Sequence, residues 1–282
     1  MSAMFIQIDP TYAQYLETNG SMTVQLDKAL YGCVEASALW YKDLRNKLLQ
    51  NGFQQNPYDL CVYNKVGEDG KQITIVVHVD DLMVTSVSRL HIDAFGTYLK
   101  SVYPETKTSI GRVLDYVGMT FDFIKEGEVS KTMDNCVKDI LSGCGVDVTQ
   151  VTPVASILFD VRDSPKATEE EMKWFHTNVA KVLYLSQRVR PECLTAVAFL
   201  TTGVNFCDRD YLAKLTRLLG YVRYARNKGI VLRVGDTMTE KAYIDAAYGV
   251  HQCYRACKRG ATVFEVSETK DRDKVKHRSS AR

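Results

Sequence analysis

The stretch Gln72-Ile73-Thr74-Ile75-Val76-Val77-His78-Val79-Asp80-Asp81-Leu82-Met83-Val84-Thr85-Ser86 decides the fold of this chain. It holds two largely apolar, β-branched runs, Ile73 to Val79 and Leu82 to Thr85, on either side of two adjacent carboxylates. Such runs favour β-strands, and the short polar interruption favours a tight turn. The sequence therefore predicts a β-hairpin with Asp80 and Asp81 at its tip.

Two interpretations of this acidic pair are open. Neighbouring side chains on a strand point to opposite faces, but at a turn both carboxylates can converge on one cation. A hard ion such as Mg²⁺ suits them, because it binds a few carboxylate oxygens, keeps several waters and takes further ligands from substrate phosphates. Aspartate is also common in turns for purely local reasons, as a turn former or a helix cap.

The composition is that of an ordinary globular protein. The chain has 282 residues, of which 45% are hydrophobic and 25% charged, enough for one large domain or two to three small ones. No apolar run approaches the roughly 18 residues of a membrane span, and the N-terminus lacks a basic-then-apolar signal segment. The default expectation is a cytoplasmic protein without membrane contact.

The eight cysteines are scattered along the chain rather than grouped as in a small disulfide-rich domain. Cys253 and Cys257 lie near His251 and His277, but no second cysteine pair or close histidine pair completes a zinc pattern. Reduced, mostly buried thiols are the better interpretation.

The formal net charge of +2 hides an asymmetry. Residues 251–282 hold nine Lys or Arg against four Asp or Glu. A basic tail of this kind can contact nucleic acid, but such tails are commonly just solvated and disordered. The overall charge therefore does not establish a nucleic-acid partner.

The remaining pattern predicts an α+β region up to about residue 132 and a helical region after it. In the first region the predicted helices run from Tyr41 to Gly52 and from Ser88 to Lys100, and the predicted strands lie at 60–64, 116–123 and 129–132. The second helix is predicted to face the core with Leu90, Ala94, Tyr98 and Leu99. A short helix at 134–141, a linker at 146–167, helices at 168–189, 191–205 and 208–228, and strands at 230–234 and 241–245 follow. Thr168 and Glu171 form a capping-box pattern.

The last of these helices is basic. Arg217, Arg223 and Arg226 accompany its apolar positions. Such a helix can lie along a phosphate backbone, although a solvated charged face is the commoner arrangement.

Several motifs follow one another in a recognisable order. They are Leu26-Asp27-Lys28-Ala29-Leu30-Tyr31-Gly32, Trp40-Tyr41, Gly52-Phe53, Asp59-Leu60-Cys61-Val62-Tyr63, His78-Val79-Asp80-Asp81-Leu82, Tyr116-Val117-Gly118-Met119, Leu183-Tyr184-Leu185-Ser186, Leu218-Leu219-Gly220-Tyr221-Val222 and Ala242-Tyr243-Ile244-Asp245-Ala246. This collinear series, from about residue 4 to 250, resembles the reverse transcriptase of copia-type retrotransposons.

The resemblance implies an α+β right-hand polymerase palm, with an antiparallel sheet and helices, followed by a helical thumb and connection and the start of a ribonuclease H-like domain. On this basis the expected divisions are partial fingers and palm at 1–132, thumb start and linker at 133–167, helical thumb and connection at 168–229, ribonuclease H start at 230–250, and a basic, disordered tail at 251–282. The disorder is expected above all in 267–282.

The resemblance also implies a chemistry, namely templated addition of deoxynucleotides to a primer. Asp80 and Asp81 match the family's metal-binding pair for Mg²⁺ or Mn²⁺, and the expected partners are an RNA or DNA template with primer, deoxynucleoside triphosphates and the rest of the element's polyprotein. His78 stands where many reverse transcriptases carry tyrosine, either beneath the primer terminus or as an ordinary strand residue. Asp245 matches the first carboxylate of ribonuclease H.

The same resemblance limits the expected activity. The family's other metal-binding aspartate lies upstream of the segment resembling Met4 to Pro10, before Met1, so the chain alone is expected to be inactive as a polymerase. The carboxylate pattern after Asp245 also departs from a ribonuclease H site. The alternatives are a non-catalytic nucleic-acid-binding remnant and, outside the family, a phosphotransfer domain, which the hairpin order disfavours.

Overall fold

The structure is a computed structural model that describes residues 6–7, 9–23, 33, 35–160 and 162–233, together with the backbone of 238–247 and 257–266. The chain divides into two compact units, Met1–Thr106 and Lys107–Arg282. The motif at 26–32 and the predicted disordered segment 267–282 lie outside the described residues. A short 3₁₀ helix at Pro10–Tyr15 precedes the first unit's main elements.

The first unit combines two helices with an antiparallel sheet. Its elements are α1 (Ala36–Gln50), β1 (Gln54–Gln55), β2 (Val62–Val66), β3 (Gln72–His78), β4 (Asp81–Ser86) and α2 (Arg89–Val102), and the strand order is β1-β2-β3-β4. On β3, Ile73, Ile75 and Val77 are buried, and the residues between them are not. This period of two directs one face of the strand to a core that it shares with apolar residues of both helices.

Both predicted helices of this unit form, but α1 begins at Ala36, five residues before the predicted start, and part of the predicted inward face of α2 is wrong. Gly52, with φ +88°, follows α1 at the glycine position that the sequence predicts. In α2, Phe95 and Leu99 are buried and Tyr98 is half-buried, whereas Leu90 and Ala94, which the sequence also predicts to face inward, are exposed, Leu90 by 79%. Leu90 is the second residue of α2, where the helix begins at the surface.

The second unit contains a four-stranded antiparallel sheet and a helical bundle. The sheet strands are β5 (Val113–Tyr116), β6 (Met119–Asp122), β7 (Glu128–Thr132) and β8 (Ile230–Arg233), in that order. The helices are α3 (Asp134–Gly143), α4 (Glu169–Arg188), a 3₁₀ turn at Pro191–Cys193, α5 (Leu194–Thr201) and α6 (Arg209–Tyr224). Buried residues of all four α-helices form one continuous core.

Two predicted elements of this unit are divided in the structure. The single strand predicted at 116–123 is a hairpin, because the chain turns at Val117 and Gly118, both with positive φ. The helix predicted at 191–205 is the 3₁₀ turn followed by α5, which ends at Thr201. The predicted capping box at Thr168 and Glu171 is confirmed in both of its hydrogen bonds.

The end of the chain also differs from its prediction in part. Strands β9 (Met238–Ala247) and β10 (Cys257–Val266) pair antiparallel, so ten residues of the predicted disordered tail at 251–282 form a strand. The run from Thr262 to Val266, rich in β-branched and aromatic residues, has the propensity for it. The α+β class with antiparallel sheets is confirmed, and within the described residues no helix is long and apolar enough to cross a bilayer.

The described cysteines agree with the prediction of reduced, largely buried thiols in part. All six are free; Cys144, Cys193 and Cys207 are buried, and Cys33 and Cys61 are exposed. Of the residues considered for zinc, Cys257 is described by its backbone alone, and the others lie outside the described residues.

Candidate functional site

The predicted acidic hairpin forms in the first unit. Strand β3 ends at His78 and β4 begins at Asp81, and these two residues are partners in the antiparallel register. Val79 and Asp80 make the two-residue turn between them. The hairpin therefore brings His78, Asp80 and Asp81 together at one end of the sheet.

Both carboxylates are available for a ligand. Asp80 and Asp81 are exposed, and neither side chain has a hydrogen-bond or ion-pair partner among the described residues. Oxygen donors of this kind fit Mg²⁺ or Mn²⁺, which bind carboxylates and fill their other positions with water and phosphate oxygens. No group of three or more His, Cys, Asp or Glu able to hold a metal is found in the described part of the chain, and the aspartate pair stays a predicted set of ligands.

The turn that carries the pair has an unusual backbone. Val79 has φ +57°, a left-handed conformation that a β-branched residue rarely adopts. Such a residue costs about 1–3 kcal/mol and persists only where neighbouring contacts hold it. Val79 is 62% exposed, so burial of its own side chain contributes little of this stabilisation.

One side chain from α1 reaches this turn. The indole Nε1–H of Trp40 donates a hydrogen bond to the carbonyl oxygen of Val79 at 2.7 Å. The Trp40 ring lies against the Tyr103 ring, with centroids 5.0 Å apart and planes inclined by 50°. An aromatic pair in this tilted arrangement is favourable beyond the area that it buries.

Tyr103 is itself held by a polar contact. Its hydroxyl donates to Oδ2 of Asp43 at 2.7 Å, and Nζ of Lys47 lies 2.8 Å from the same oxygen. Burial and the hydrogen bond to Asp43 raise the pKa of Tyr103 above its usual value, so the hydroxyl stays a donor. The hydrogen bonds from Lys47 and Tyr103 lower the pKa of Asp43. These contacts connect the hairpin tip to α1 and to Tyr103, the residue that follows α2.

The three candidate arginines lie in the second unit, and two of them already bind other residues of the chain. Arg217 donates to the Thr152 hydroxyl at 2.9 Å, and Arg223 donates to the Val146 carbonyl at 2.8 Å and pairs with Asp147 at 3.3 Å. Arg226 lies beyond the end of α6 and is exposed. Arg217 and Arg223 therefore fasten the segment 146–152 to α6, and their contact with nucleic acid stays a prediction.

Asp245 lies on β9, where only the backbone is described. Its partner in the register with β10 is Arg259. Because its side chain is not described, a ribonuclease H role for Asp245 stays a prediction.

Sequence reasoning missed the contribution of Trp40 to this site. The residue was recognised as part of a motif, but its hydrogen bond joins positions 39 residues apart and leaves no periodic signal. Val79 was missed for a similar reason, because valine is not a turn residue by propensity.

Comparison with known proteins covers more than half of the chain. The family model described as "Reverse transcriptase (RNA-dependent DNA polymerase)" matches residues 3–155, which include the hairpin and both aspartates. No solved structure matches the chain significantly.

Curated relatives are similar over a longer stretch. "Retrovirus-related Pol polyprotein from transposon RE1" of Arabidopsis thaliana is 28% identical over 229 residues, 79% of this chain and 15% of that protein. The RE2 polyprotein of the same plant is 26% identical over 232 residues, again 79% and 15%. "Transposon Ty1-DR5 Gag-Pol polyprotein" of Saccharomyces cerevisiae is 21% identical over 252 residues, 83% and 14%. The chain thus spans about a seventh of the length of the relatives that it matches.

Proposed function

Since this chain belongs to the reverse transcriptase (RNA-dependent DNA polymerase) family, as a fragment of a copia-type element, we propose that its Asp80–Asp81 hairpin is a metal-binding part of a DNA polymerase site. The observation that carries the proposal is the tip itself. Two adjacent carboxylates project at a tight turn without protein partners among the described residues, in a stretch that the family model covers. A purely structural turn aspartate would more commonly cap a neighbouring N–H group.

The role of each residue follows from its position. Asp80 and Asp81 would hold a divalent ion, Mg²⁺ or Mn²⁺, and in such sites the ions activate the attacking hydroxyl and stabilise the leaving phosphate oxygens. The protein's own part is to keep two negative charges at one exposed place, where they hold the cations against the phosphates of a substrate. His78, the register partner of Asp81, lies on the same hairpin end and is proposed to contact the primer.

The assignment of the chain's segments to polymerase subdomains is part of the proposal. The sheet and helices of residues 1–132 are assigned to fingers and palm, 133–167 to the thumb start, 168–229 to a helical thumb and connection, and 230–250 to the start of a ribonuclease H-like domain. The four-helix core between Asp134 and Tyr224 supports a helical subdomain in the middle of the chain. The proposed partners are a template with primer, deoxynucleoside triphosphates and the remainder of the polyprotein.

Metal binding tests the proposal directly. Mn²⁺ titrated into ¹⁵N-labelled protein should broaden the amide signals of the hairpin tip first, because paramagnetic broadening falls steeply with distance. The Asp80→Asn/Asp81→Asn variant should lose this local broadening. Glu169→Gln/Glu170→Gln is the matched control, since it neutralises another pair of adjacent exposed carboxylates, at the start of α4.

Primer extension on an RNA template with Mg²⁺ provides the second arm. Any DNA synthesis by the chain should disappear in the aspartate double variant and persist in the glutamate control. Tip broadening that survives in the double variant, or synthesis that survives in it, would show that the pair is not the metal site. Primer-template binding without synthesis in every variant would favour a non-catalytic nucleic-acid-binding role.

A further inference from the structure

The hydrogen bond from Trp40 to the hairpin turn has a consequence for the aspartates. The Val79 carbonyl that accepts it belongs to the peptide unit joining Val79 to Asp80. A bond of 2.7 Å from a ring that is itself packed fixes the orientation of that peptide plane. The backbone direction at Asp80, and with it the starting point of the carboxylate, follows from this plane.

The turn needs such a contact. Val79 holds a left-handed φ of +57°, which would relax to an extended or right-handed value if nothing opposed the change. Relaxation would rotate the peptide unit on the N-terminal side of Asp80. Among the described residues, the Trp40 indole is the side chain that hydrogen-bonds to the Val79 carbonyl.

The indole is well placed to resist this change. Trp40 packs against the first unit's core, and its neighbour Tyr103 is fixed through the hydroxyl bond to Asp43. The support therefore comes from α1 and the end of α2, elements that are separate in sequence from the hairpin. The tip is therefore held from outside as well as by the pairing of His78 with Asp81 within the hairpin.

We propose that Trp40 is a positioning residue for nucleotide transfer, which acts through the Val79 carbonyl to hold Asp80 and Asp81 in a metal-binding arrangement. The inference rests on the proposed function of the aspartate pair. It adds a residue that contacts neither metal nor substrate, and it assigns the unusual Val79 backbone to the function of the tip.

The test is the Mn²⁺ affinity of the tip in Trp40→Phe, measured from the same amide broadening. Phenylalanine keeps an aromatic ring against Tyr103 but has no N–H donor. The loss of one neutral hydrogen bond predicts an affinity about three- to tenfold weaker. Tyr98→Phe is the matched control, because it removes another hydroxyl of this unit, the one that donates to the Lys47 carbonyl, and leaves the Trp40, Tyr103 and Asp43 contacts in place; its tip affinity should stay at the wild-type value.

A second variant changes the turn without touching the core. Val79→Pro forbids the positive φ, since proline fixes φ near −65°, and because the Val79 side chain is exposed the substitution removes no core contact. Its tip affinity should fall at least about tenfold, as expected when the turn conformation itself is lost. Thermal melts accompany each variant, so that a loss of affinity is read only from protein that melts cooperatively.

The outcomes separate the two ideas. Wild-type tip affinity in cooperatively folded Trp40→Phe, or in Val79→Pro, would overturn the positioning role while leaving the aspartate site intact. An equal loss in Tyr98→Phe would assign the effect to general packing and would overturn it as well. No tip-centred Mn²⁺ binding in the wild-type protein would refute the proposed metal site, and this inference with it.

Discussion

Substitution of Glu192 by glutamine should destabilise the second unit, because it leaves a buried arginine without its counter-charge. Arg190 is 0% exposed, its Nε lies 2.7 Å from Oε1 of Glu192, and its Nη1 donates to the Ala225 carbonyl at 3.0 Å. Its Nη2 is buried and has no hydrogen-bond partner among the described residues. The Tyr221 hydroxyl donates to the same Glu192 oxygen at 3.2 Å.

The size of this loss of stability depends on how deeply Arg190 and Glu192 are buried. Removing one partner of a buried pair typically costs about 3–5 kcal/mol, because the remaining charge is uncompensated. Glutamine retains an oxygen acceptor, and the Glu192 side chain is 34% exposed, so water reaches the site. A loss of about 2 kcal/mol in the free energy of unfolding is therefore expected, or a melting temperature lower by about 4–8 °C for a unit of this size.

The chain offers a convenient assay. It contains two tryptophans, Trp40 in the first unit and Trp174 in the second. In a Trp40→Phe background the emission of Trp174, which packs against the second unit's core, reports the urea unfolding of that unit alone. Glu126→Gln removes an exposed turn carboxylate of the same unit and should stay within about 0.5 kcal/mol of the parent.

The pH dependence gives an independent check. Burial alone would raise the pKa of Glu192, but the hydrogen bond from Arg190 and the other favourable contacts outweigh it and lower this pKa. A carboxylate with a lowered folded pKa stabilises fully above its unfolded pKa of about 4.3, and this stabilisation disappears as pH falls through the folded value. The difference between the parent and Glu192→Gln should thus shrink below about pH 4. Equal stability at pH 7, or a difference unchanged down to pH 3, would refute the reasoning.

Two further predictions concern Gly229 and Cys193 of the second unit. A Cβ at Gly229 would collide with the Lys131 carbonyl oxygen on β7, so Gly229→Ala should lower the free energy of unfolding in urea by about 1–3 kcal/mol. Gly111→Ala is the control and should be nearly neutral, because its Cβ would meet only ordinary van der Waals contacts. Burial raises the pKa of the Cys193 thiol to about 12, so iodoacetamide at pH 8 should modify exposed Cys61 long before Cys193, as peptide mass spectrometry can measure. Rapid modification of Cys193 in folded protein would contradict its buried position.

The hairpin at 72–86 could be predicted from the sequence because its signal is local. Strand propensity, alternation and a polar turn lie within fifteen residues, and each points to the same structure. The capping box at Thr168 is similar, since the two residues that make it are three apart. The assignment of the carboxylates to a metal came from the resemblance rather than from the pattern.

The backbone features that the sequence does not predict, at Val117 and Val79, share a physical cause. At Val117 the chain turns although the apolar alternation of the sequence continues, and the carbonyl of this valine, whose φ is positive, accepts a hydrogen bond from the Tyr184 hydroxyl. The same holds at Val79, where the partner is Trp40. A window of sequence cannot report a bond between distant positions, so propensity rules predict neither the turn at Val117 nor the left-handed backbone of Val79, although they predict the hairpin around Val79.

Strand β4, which begins with Asp81, is an end strand of its sheet. Among the described strands it pairs with β3 alone, so the N–H and C=O groups of its other side are open to a further strand. A segment that paired there would set its side chains opposite those of β4 at Cβ separations of about 4.5–5.5 Å. Backbone hydrogen bonds would then determine how accurately another polypeptide segment places a carboxylate next to Asp81. These bonds do not depend on the identity of the side chains. A site of this kind can be assembled from separate pieces of chain.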